Sequence, residues 1–486
     1  MKRRSEEATR LRRSRILLFV FLILLIISFI VFWSPFKKDK TETSVSDMPA
    51  INEAYKRILE SSVHPVEGDL LVEGALRGMA ETLKDPYSRY LTSEEAKAHE
   101  ESLADERVGI GLEVMESNGR FIVVTPVKES PAAKAGVKPY DEIVRVNGER
   151  VEGKTLSDLL TAIKGEKGTK VSLTVYRENE NRHVELNMKR TALRIQTVTS
   201  ELLEEDDLKI GYVSITIFGE KTAEEWEKQT RSLVQRGIDG LLIDVRGNPG
   251  GYLHSVEAVV STMLEPGATY AFMQDSKGVL EPLPVVAVEK DDYVKKMRRL
   301  PIVLIQDEGS ASASEVLSGA LKSNKRALIA GTTSFGKGTV QETWDLSNGG
   351  EMKLSSHKWL TPSQEWIHGT GVKADFEVEA NELYQLEPVP VSGTFKVGDF
   401  NKDVEYGQKV LKALGHPVSR VDGYFDEDTA TAIQEFREEH KQEGNAEMDA
   451  SFFQELRKTV IEYKSSKKND EQLQMSISYL FHAIQK

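Results

Sequence analysis

Cysteine is absent from all 486 residues, so disulfides, thiolate metal ligands and a cysteine nucleophile are excluded. Histidine is scarce, at nine residues. No H-E-x-x-H occurs, and His357 and His368 stand apart beside Trp359 and Trp366, where they read as structural residues. Zinc hydrolysis therefore lacks its paired ligands, and neither a metal nor a cofactor is expected. Positive charge is in deficit: 64 Lys and Arg against 77 Asp and Glu leave a net charge of −13. That balance is the reverse of what neutralises phosphates, so no nucleic-acid partner is expected.

Long apolar runs are also few, and one of them stands out. Ile16 to Trp33 is apolar except for Ser28, and as a helix it would span about 27 Å. Seven basic residues precede it (Lys2, Arg3, Arg4, Arg10, Arg12, Arg13 and Arg15), and only Lys37, Lys38 and Lys40 follow closely. This asymmetry predicts a cytoplasmic N-terminus and an extracytoplasmic remainder. Trp33-Ser34-Pro35-Phe36 offers no small-x-small cleavage site, so residues 1–36 are expected to be a cytoplasmic tail and single-pass transmembrane signal anchor in the cell membrane.

The rest of the chain suits two to four globular domains, with 39% hydrophobic and 29% charged residues. Residues 37–50 form a polar linker. Residues 51–106 carry helical spacing in Ala54, Ile58, Leu71, Ala75, Met79 and Leu83, interrupted at Asp85-Pro86-Tyr87. Thr92 or Ser93 is the expected cap of a further helix. Over 107–190 the period shifts to strands, with a hairpin turn at Asn147-Gly148 and a short helix Ser130-Pro131-Ala132-Ala133-Lys134-Ala135-Gly136. This block resembles a PDZ domain, which adds an extended peptide tail as a strand and holds its carboxylate on backbone N–H groups. The resemblance makes Gly109-Ile110-Gly111-Leu112 the tail cradle.

Residues 191–384 alternate short apolar strands with amphipathic segments, which predicts an α/β core. After a linker at 385–399, residues 400–460 suit a small helical module with Asp426 as a cap, and 461–486 read as a charged tail. The 400–460 module is similar to the peptidoglycan-binding module of bacterial wall enzymes, which makes cell-wall peptidoglycan an expected partner. It departs from that pattern at Arg437, where glutamine is usual, and in the link from Gln442 to Asp449.

The chemistry concentrates in Asp307-Glu308-Gly309-Ser310-Ala311-Ser312-Ala313-Ser314-Glu315 and Gly336-Lys337-Gly338-Thr339-Val340-Gln341. A serine hydroxyl needs a base to attack an amide, and a desolvated lysine can serve because burial disfavours its charged form. No Asp or Glu lies within four residues of Lys337. Gln341 would lie about 6 Å from it on a helix but roughly 13 Å away on a strand. An oxyanion needs donors. Asp244-Val245-Arg246-Gly247-Asn248-Pro249-Gly250-Gly251 follows a buried strand and offers the N–H of Gly250 or Gly251, with Ala313 as the second donor. From spacing alone Ser310 and Ser314 rival Ser312.

Those segments, the PDZ block, Asp85-Pro86-Tyr87-Ser88-Arg89-Tyr90 and Trp359-Leu360-Thr361-Pro362 together resemble the carboxyl-terminal processing proteases over residues 51 to 380. The resemblance implies a serine endopeptidase with a crotonase-like α/β core and an inserted β-rich PDZ domain, acting on proteins with exposed C-terminal tails. It places the nucleophile on Ser312, the general base on Lys337 and the orienting amide on Gln341, and it allows a homo-oligomer. Two enzymatic alternatives fall short. Gly331-Thr332-Thr333-Ser334-Phe335-Gly336-Lys337 nearly spells a phosphate loop but continues with Gly338, where Ser or Thr is needed. Ser355-Ser356-His357-Lys358 is an S-x-x-K without its S-D-N and K-T-G partners. The remaining alternative is a catalytically inert PDZ scaffold that binds tails in the cell envelope.

Overall fold

Short apolar strands need cover on both faces, and the way they obtain it defines the architecture. The computed structural model describes residues 48–485 apart from 104–105, 118, 178–179, 195, 206, 290 and 387–392. The apolar run Ile16–Trp33 lies outside the described residues. Among those described, no helix is long and apolar enough to cross a membrane.

The N-terminal unit contains the helix Met48–Ser61, in which no residue is buried, and the start of the helix Gly68–Glu81. The larger unit begins near Met79. There the strand Arg89–Leu91 precedes the helix Ser93–Leu103, which Thr92 caps. The Thr92 Oγ1 accepts from Glu95 N at 3.2 Å, and Thr92 N donates back to the Glu95 carboxylate at 2.8 Å.

The PDZ block forms a sheet in the order Leu112–Ser117, Arg120–Pro126, Glu142–Val146, Lys170–Arg177, Arg182–Lys189. Its hairpin turns at Asn147 and Gly148, both at positive φ. Its short helix Pro131–Ala135 starts at a Ser130 cap and stops at Gly136 in the left-handed region. Leu112–Ser117 is the sheet's edge strand.

The α/β core is a six-stranded sheet in the order Val198–Glu205, Leu208–Ile215, Gly240–Asp244, Ile302–Gln306, Leu328–Gly331, Phe376–Glu377, parallel from the second strand on. Leu241, Ile243 and Leu304 face a core shared with Trp226, Val256, Val260, Val316 and Leu317, which come from helices on that side. The alternate residues Ile210, Leu242, Val303 and Ile305 face the other way, where Leu473 and Leu480 cover them. Those two leucines belong to the helix Glu471–Ile484, so 461–486 is not a charged tail. It is the second cover of the six-stranded sheet, and each buried leucine contributes about 2 kcal/mol. Most charges of this segment (Glu462, Lys464, Lys467, Lys468 and Asp470) precede the helix, whose apolar stripe faces the sheet.

Residues 400–460 fold into helices Lys402–Ala413, Glu427–Glu439 and Ala450–Ser465 around their own core, the second of them capped by Asp426 as expected. Both departures from the wall-binding pattern have one cause. The buried Arg437 guanidinium donates to Gln442, to the carbonyls of Glu443 and Glu447, and to Asp449 at 2.9 Å. The altered residue organises the altered link.

Candidate active site

The stretch between the strand Ile302–Gln306 and the helix Ala313–Ser323 holds three serines in unlike states. Ser310 is fully buried, with its hydroxyl on the Val245 carbonyl at 2.8 Å. Ser314 is fully buried, with its hydroxyl on the Asn248 carbonyl at 2.9 Å. Ser312 alone is partly exposed. Its φ of 54° and ψ of −111° lie where a non-glycine residue is strained. Spacing left the choice among the three serines open. Burial and bonding single out Ser312.

Glu315 supplies the element that the sequence reading missed. It is fully buried, and its Oε2 accepts from Ser312 N and Lys337 N, each at 2.8 Å. Its Oε1 accepts from Gly336 N and from the Ser334 hydroxyl, each at 2.6 Å. One carboxylate thus ties the serine turn to the lysine loop. Ser312-x-x-Glu315 has the spacing of a capping box, the signal that could have revealed it.

Lys337 is half-buried, and burial holds its amine below the usual lysine range. Asp85 and Glu315 pull in the opposite direction without prevailing. No acid neighbours this lysine in the sequence, yet two act on it in the fold. The acids approach through space, and Glu315 grips the lysine's backbone N–H. The amine sits 4.9 Å from the centre of the Tyr87 ring, and Trp359 Nε1 donates to the Lys337 carbonyl at 2.8 Å. Beside this loop a cleft of about 460 Å³ is lined by Asp85, Thr339, Ser355, Lys358, Trp366 and His368, among others.

Gln341 lies on the strand Thr339–Asp345, next to a bulge between Val340 and Gln341. Its amide donates to Thr339 Oγ1 at 3.0 Å and Ser355 Oγ at 3.1 Å. Among the described residues, no hydrogen bond joins the Ser312 hydroxyl to the Lys337 amine, or Gln341 to either.

Gly250 and Gly251 are both at positive φ, Gly250 against the serine turn and Gly251 against the Phe218 backbone. A Cβ on Gly250 would come within 2.8 Å of the Ser312 Cβ and 3.0 Å of Ala313 N, so only glycine fits there. Gly250 N donates to Asn248 Oδ1 at 2.9 Å and is engaged. The N–H groups of Gly251 and Ala313 have no partner among the described residues. In the PDZ block the carbonyls of Ile110 and Gly111 accept from Ala132 and Val127, while the N–H groups of Ile110 and Gly111 have no partner among the described residues. The Ile110 side chain is buried in the block's own core. Leu112 begins the adjoining edge strand.

A strained serine wired to a lysine loop beneath a glycine-rich turn defines a class, and the sequence comparisons agree with it. Residues 209–378 match peptidase family S41, 108–188 match a PDZ domain, 34–95 match the activating protease CtpB N-terminal domain, and 401–456 match a putative peptidoglycan binding domain. The chain belongs to peptidase family S41 and is a serine endopeptidase. It is 37% identical over 434 residues to the carboxy-terminal processing protease CtpB of Bacillus subtilis (strain 168), covering 89% of each chain. It is 36% identical over 399 residues to carboxy-terminal processing protease CtpA of the same organism, covering 82% of this chain and 83% of the relative. A probable CtpA-like serine protease of Staphylococcus aureus (strain COL) is 32% identical over 429 residues, covering 88% and 84%.

Proposed function

We propose that this endopeptidase uses Ser312 as nucleophile and Lys337 as general base, and that it cleaves extracytoplasmic proteins presented by their C-terminal tails. One observation carries the assignment. Ser310 and Ser314 are sealed into bonds, whereas Ser312 is partly exposed and shares the Glu315 carboxylate with the loop of a desolvated lysine. In the reaction the neutral Lys337 amine takes the Ser312 proton as Oγ attacks the scissile carbonyl, and the ammonium so formed protonates the leaving amine. The N–H groups of Gly251 and Ala313 receive the oxyanion. Gln341 orients the amine through its carbonyl oxygen, because its NH₂ is already held by Thr339 and Ser355.

Tail recognition falls to Gly109-Ile110-Gly111-Leu112. The N–H groups of Ile110 and Gly111 take the carboxylate, and the edge strand Leu112–Ser117 takes the peptide as an added strand. Docking there releases the active site by closing the gap between Ser312 and Lys337. The apolar run Ile16–Trp33 with its basic N-terminal flank supports a single-pass anchor and an extracytoplasmic catalytic domain. The three-helix module supports wall binding, and the strand–helix repeats of the core support a crotonase-like course. A homo-oligomer remains part of this proposal.

The test is mass spectrometry of fragments from a panel of tailed and tail-blocked polypeptides. Wild type should cut tailed substrates, and Ser312→Ala and Lys337→Ala should leave them intact. Cleavage by Ser312→Ala at the wild-type rate would remove Ser312 as nucleophile, and failure of wild type to cut any of the panel would return the scaffold reading.

A further inference from the structure

The oxyanion loop is held by the segment that follows the three-helix module. Arg246 lies two residues before Asn248, and its guanidinium spans two carboxylates. Nε and Nη2 reach Asp244 at 3.0 and 2.6 Å. Nη1 and Nη2 reach Asp470 at 2.9 and 2.7 Å in a bidentate pair. Nη1 also donates to Gln472 at 3.1 Å. All three charged side chains are at most one-fifth exposed: 19% for Arg246, 14% for Asp470 and 5% for Asp244. Asp470 is also the N-cap of the helix Glu471–Ile484, accepting from Leu473 N at 3.0 Å. The residue that starts the C-terminal helix therefore grips the arginine that starts the oxyanion loop.

From Arg246 the connection to the reacting serine is short. The Asn248 carbonyl accepts from Ala311 N and from the Ser314 hydroxyl, each at 2.9 Å, and so brackets Ser312 on both sides. Asn248 Oδ1 holds Gly250 N, and its Nδ2 donates to the Ile215 carbonyl. At the far end of the strand that leads into the loop, Leu480 and Ile484 press on Gly240, where an added Cβ would meet both at 3.0 Å.

We infer that Asp470 is a positioning residue for the peptidase reaction, setting the oxyanion loop through Arg246. Through it the helix that follows the wall-binding-like module forms part of the active-site scaffold. This inference rests on the Ser312 reading given above. Breaking the clamp leaves Arg246 held by Asp244 and the neutral Gln472 amide, without its second carboxylate, and frees the loop to tilt. The catalytic step suffers more than substrate binding, because the loop's donors meet charge that develops only in the transition state.

The experiment compares full-length wild type, Asp470→Asn, Asp470→Glu and Asp449→Asn on one tailed peptide, with thermal melting of each. Asparagine still caps a helix but loses the ion pair, so Asp470→Asn should fold and lose roughly tenfold in kcat with KM within about twofold. Asp470→Glu should recover much of the loss. Asp449→Asn likewise keeps the cap of the preceding helix but loses the ion pair with the buried Arg437. It should lower the melting temperature without lowering kcat. An Asp470→Asn enzyme with wild-type kcat overturns the inference, as does a kcat loss in Asp449→Asn that tracks its melting temperature as closely as in Asp470→Asn. If wild type cleaves and Ser312→Ala cleaves equally, the underlying reading fails instead, and the two failures are separable.

Discussion

Between Asp307 and Glu315 the polar groups are committed to neighbouring loops, whereas between Phe335 and Gln341 several are loosely held. Asp307 Oδ1 takes Gly247 N, Ser310 takes the Val245 carbonyl, and Ser314 takes the Asn248 carbonyl. Phe335 is 55% exposed, Lys337 is half-buried, and Gln341 is bonded only to two hydroxyls. The backbone of the lysine loop is pinned at Gly336 and Lys337 by Glu315, but the lysine side chain lies on the Tyr87 ring. On the proposed roles, Ser312 as nucleophile is set by the fold, while Lys337 as base has room to move. Readiness for catalysis depends on the lysine side. A tail docked in the PDZ domain would have most to change there and least to change at Ser312.

The largest effect that would sharpen this contrast comes from deleting the nucleophile. Ser312→Ala should lower kcat by at least about 1,000-fold, with the melting temperature held or slightly raised as the strain is retained without its hydroxyl. Ser310→Ala should instead behave as a structural lesion, because it opens a buried bond to Val245. Active-site labelling by a fluorophosphonate, read by intact mass, distinguishes them. Label on Ser312→Ala would break the comparison at its root.

Next in size is Glu315→Gln. Gln presents an NH₂ where one carboxylate oxygen now faces two donors, so two hydrogen bonds are lost, at about 1–3 kcal/mol for each donor left unsatisfied. The expected outcome is a kcat lower by roughly 100-fold together with a measurable fall in thermal stability. Phe335→Ala, whose side chain is mostly in solvent, should change neither by more than about twofold. Equal effects from the two would show that the lysine loop is as rigid as the serine turn.

Gln341→Ala should cost less, about three- to tenfold in kcat. Its amide is anchored to Thr339 and Ser355 rather than to the lysine, and only the carbonyl oxygen is left to act. Steady-state kinetics on one peptide measure it. A loss as large as that of Lys337→Ala would mean the amide holds the amine throughout the cycle, and the base would then have less freedom than the geometry gives it.

How much of this was legible in the sequence depended on the reach of the chemistry involved. Thr92, the Ser130-to-Gly136 helix, the Asn147-Gly148 turn and Asp426 were readable because caps and turns act over three or four residues. The buried strands were readable because both their faces are covered, which leaves no polar alternation. Lys337 was found, but its acidic neighbours were not, since Asp85 reaches it from a distant segment and Glu315 through the backbone. The tail was misread because its charges cluster at its start, between Glu462 and Glu471, ahead of the apolar positions. Asp470 as a cap, followed by Leu473, Ser476 and Leu480 at helical spacing, was the overlooked signal. Gly250 was a reasonable oxyanion donor on composition, but Asn248 Oδ1 already occupies its N–H.

The smallest effects bear on the charge around the base. Burial keeps Lys337 below its usual range, and Asp85 and Glu315 raise it again. Activity needs the neutral amine, so the rate should rise with pH through the depressed pKa of Lys337. Asp85→Asn removes a negative neighbour while keeping an oxygen for Tyr87 N and a polar partner for the Ser88 hydroxyl. With less to stabilise the ammonium, the pKa falls further and the acid limb of kcat/KM should move down by about half a unit. Lys353 works in the opposite sense. Burial, then Lys337 and then Arg89, push its own pKa down to about 8. Repulsion is mutual, so replacing Lys353 with methionine should let Lys337 rise and move the acid limb up by a similar amount. Both shifts should shrink in high salt. Opposite displacements from these two variants would place the titrating group between Asp85 and Lys353, where Lys337 stands. Displacements in the same direction would assign the limb to another group and leave the amine of Lys337 without its role as base.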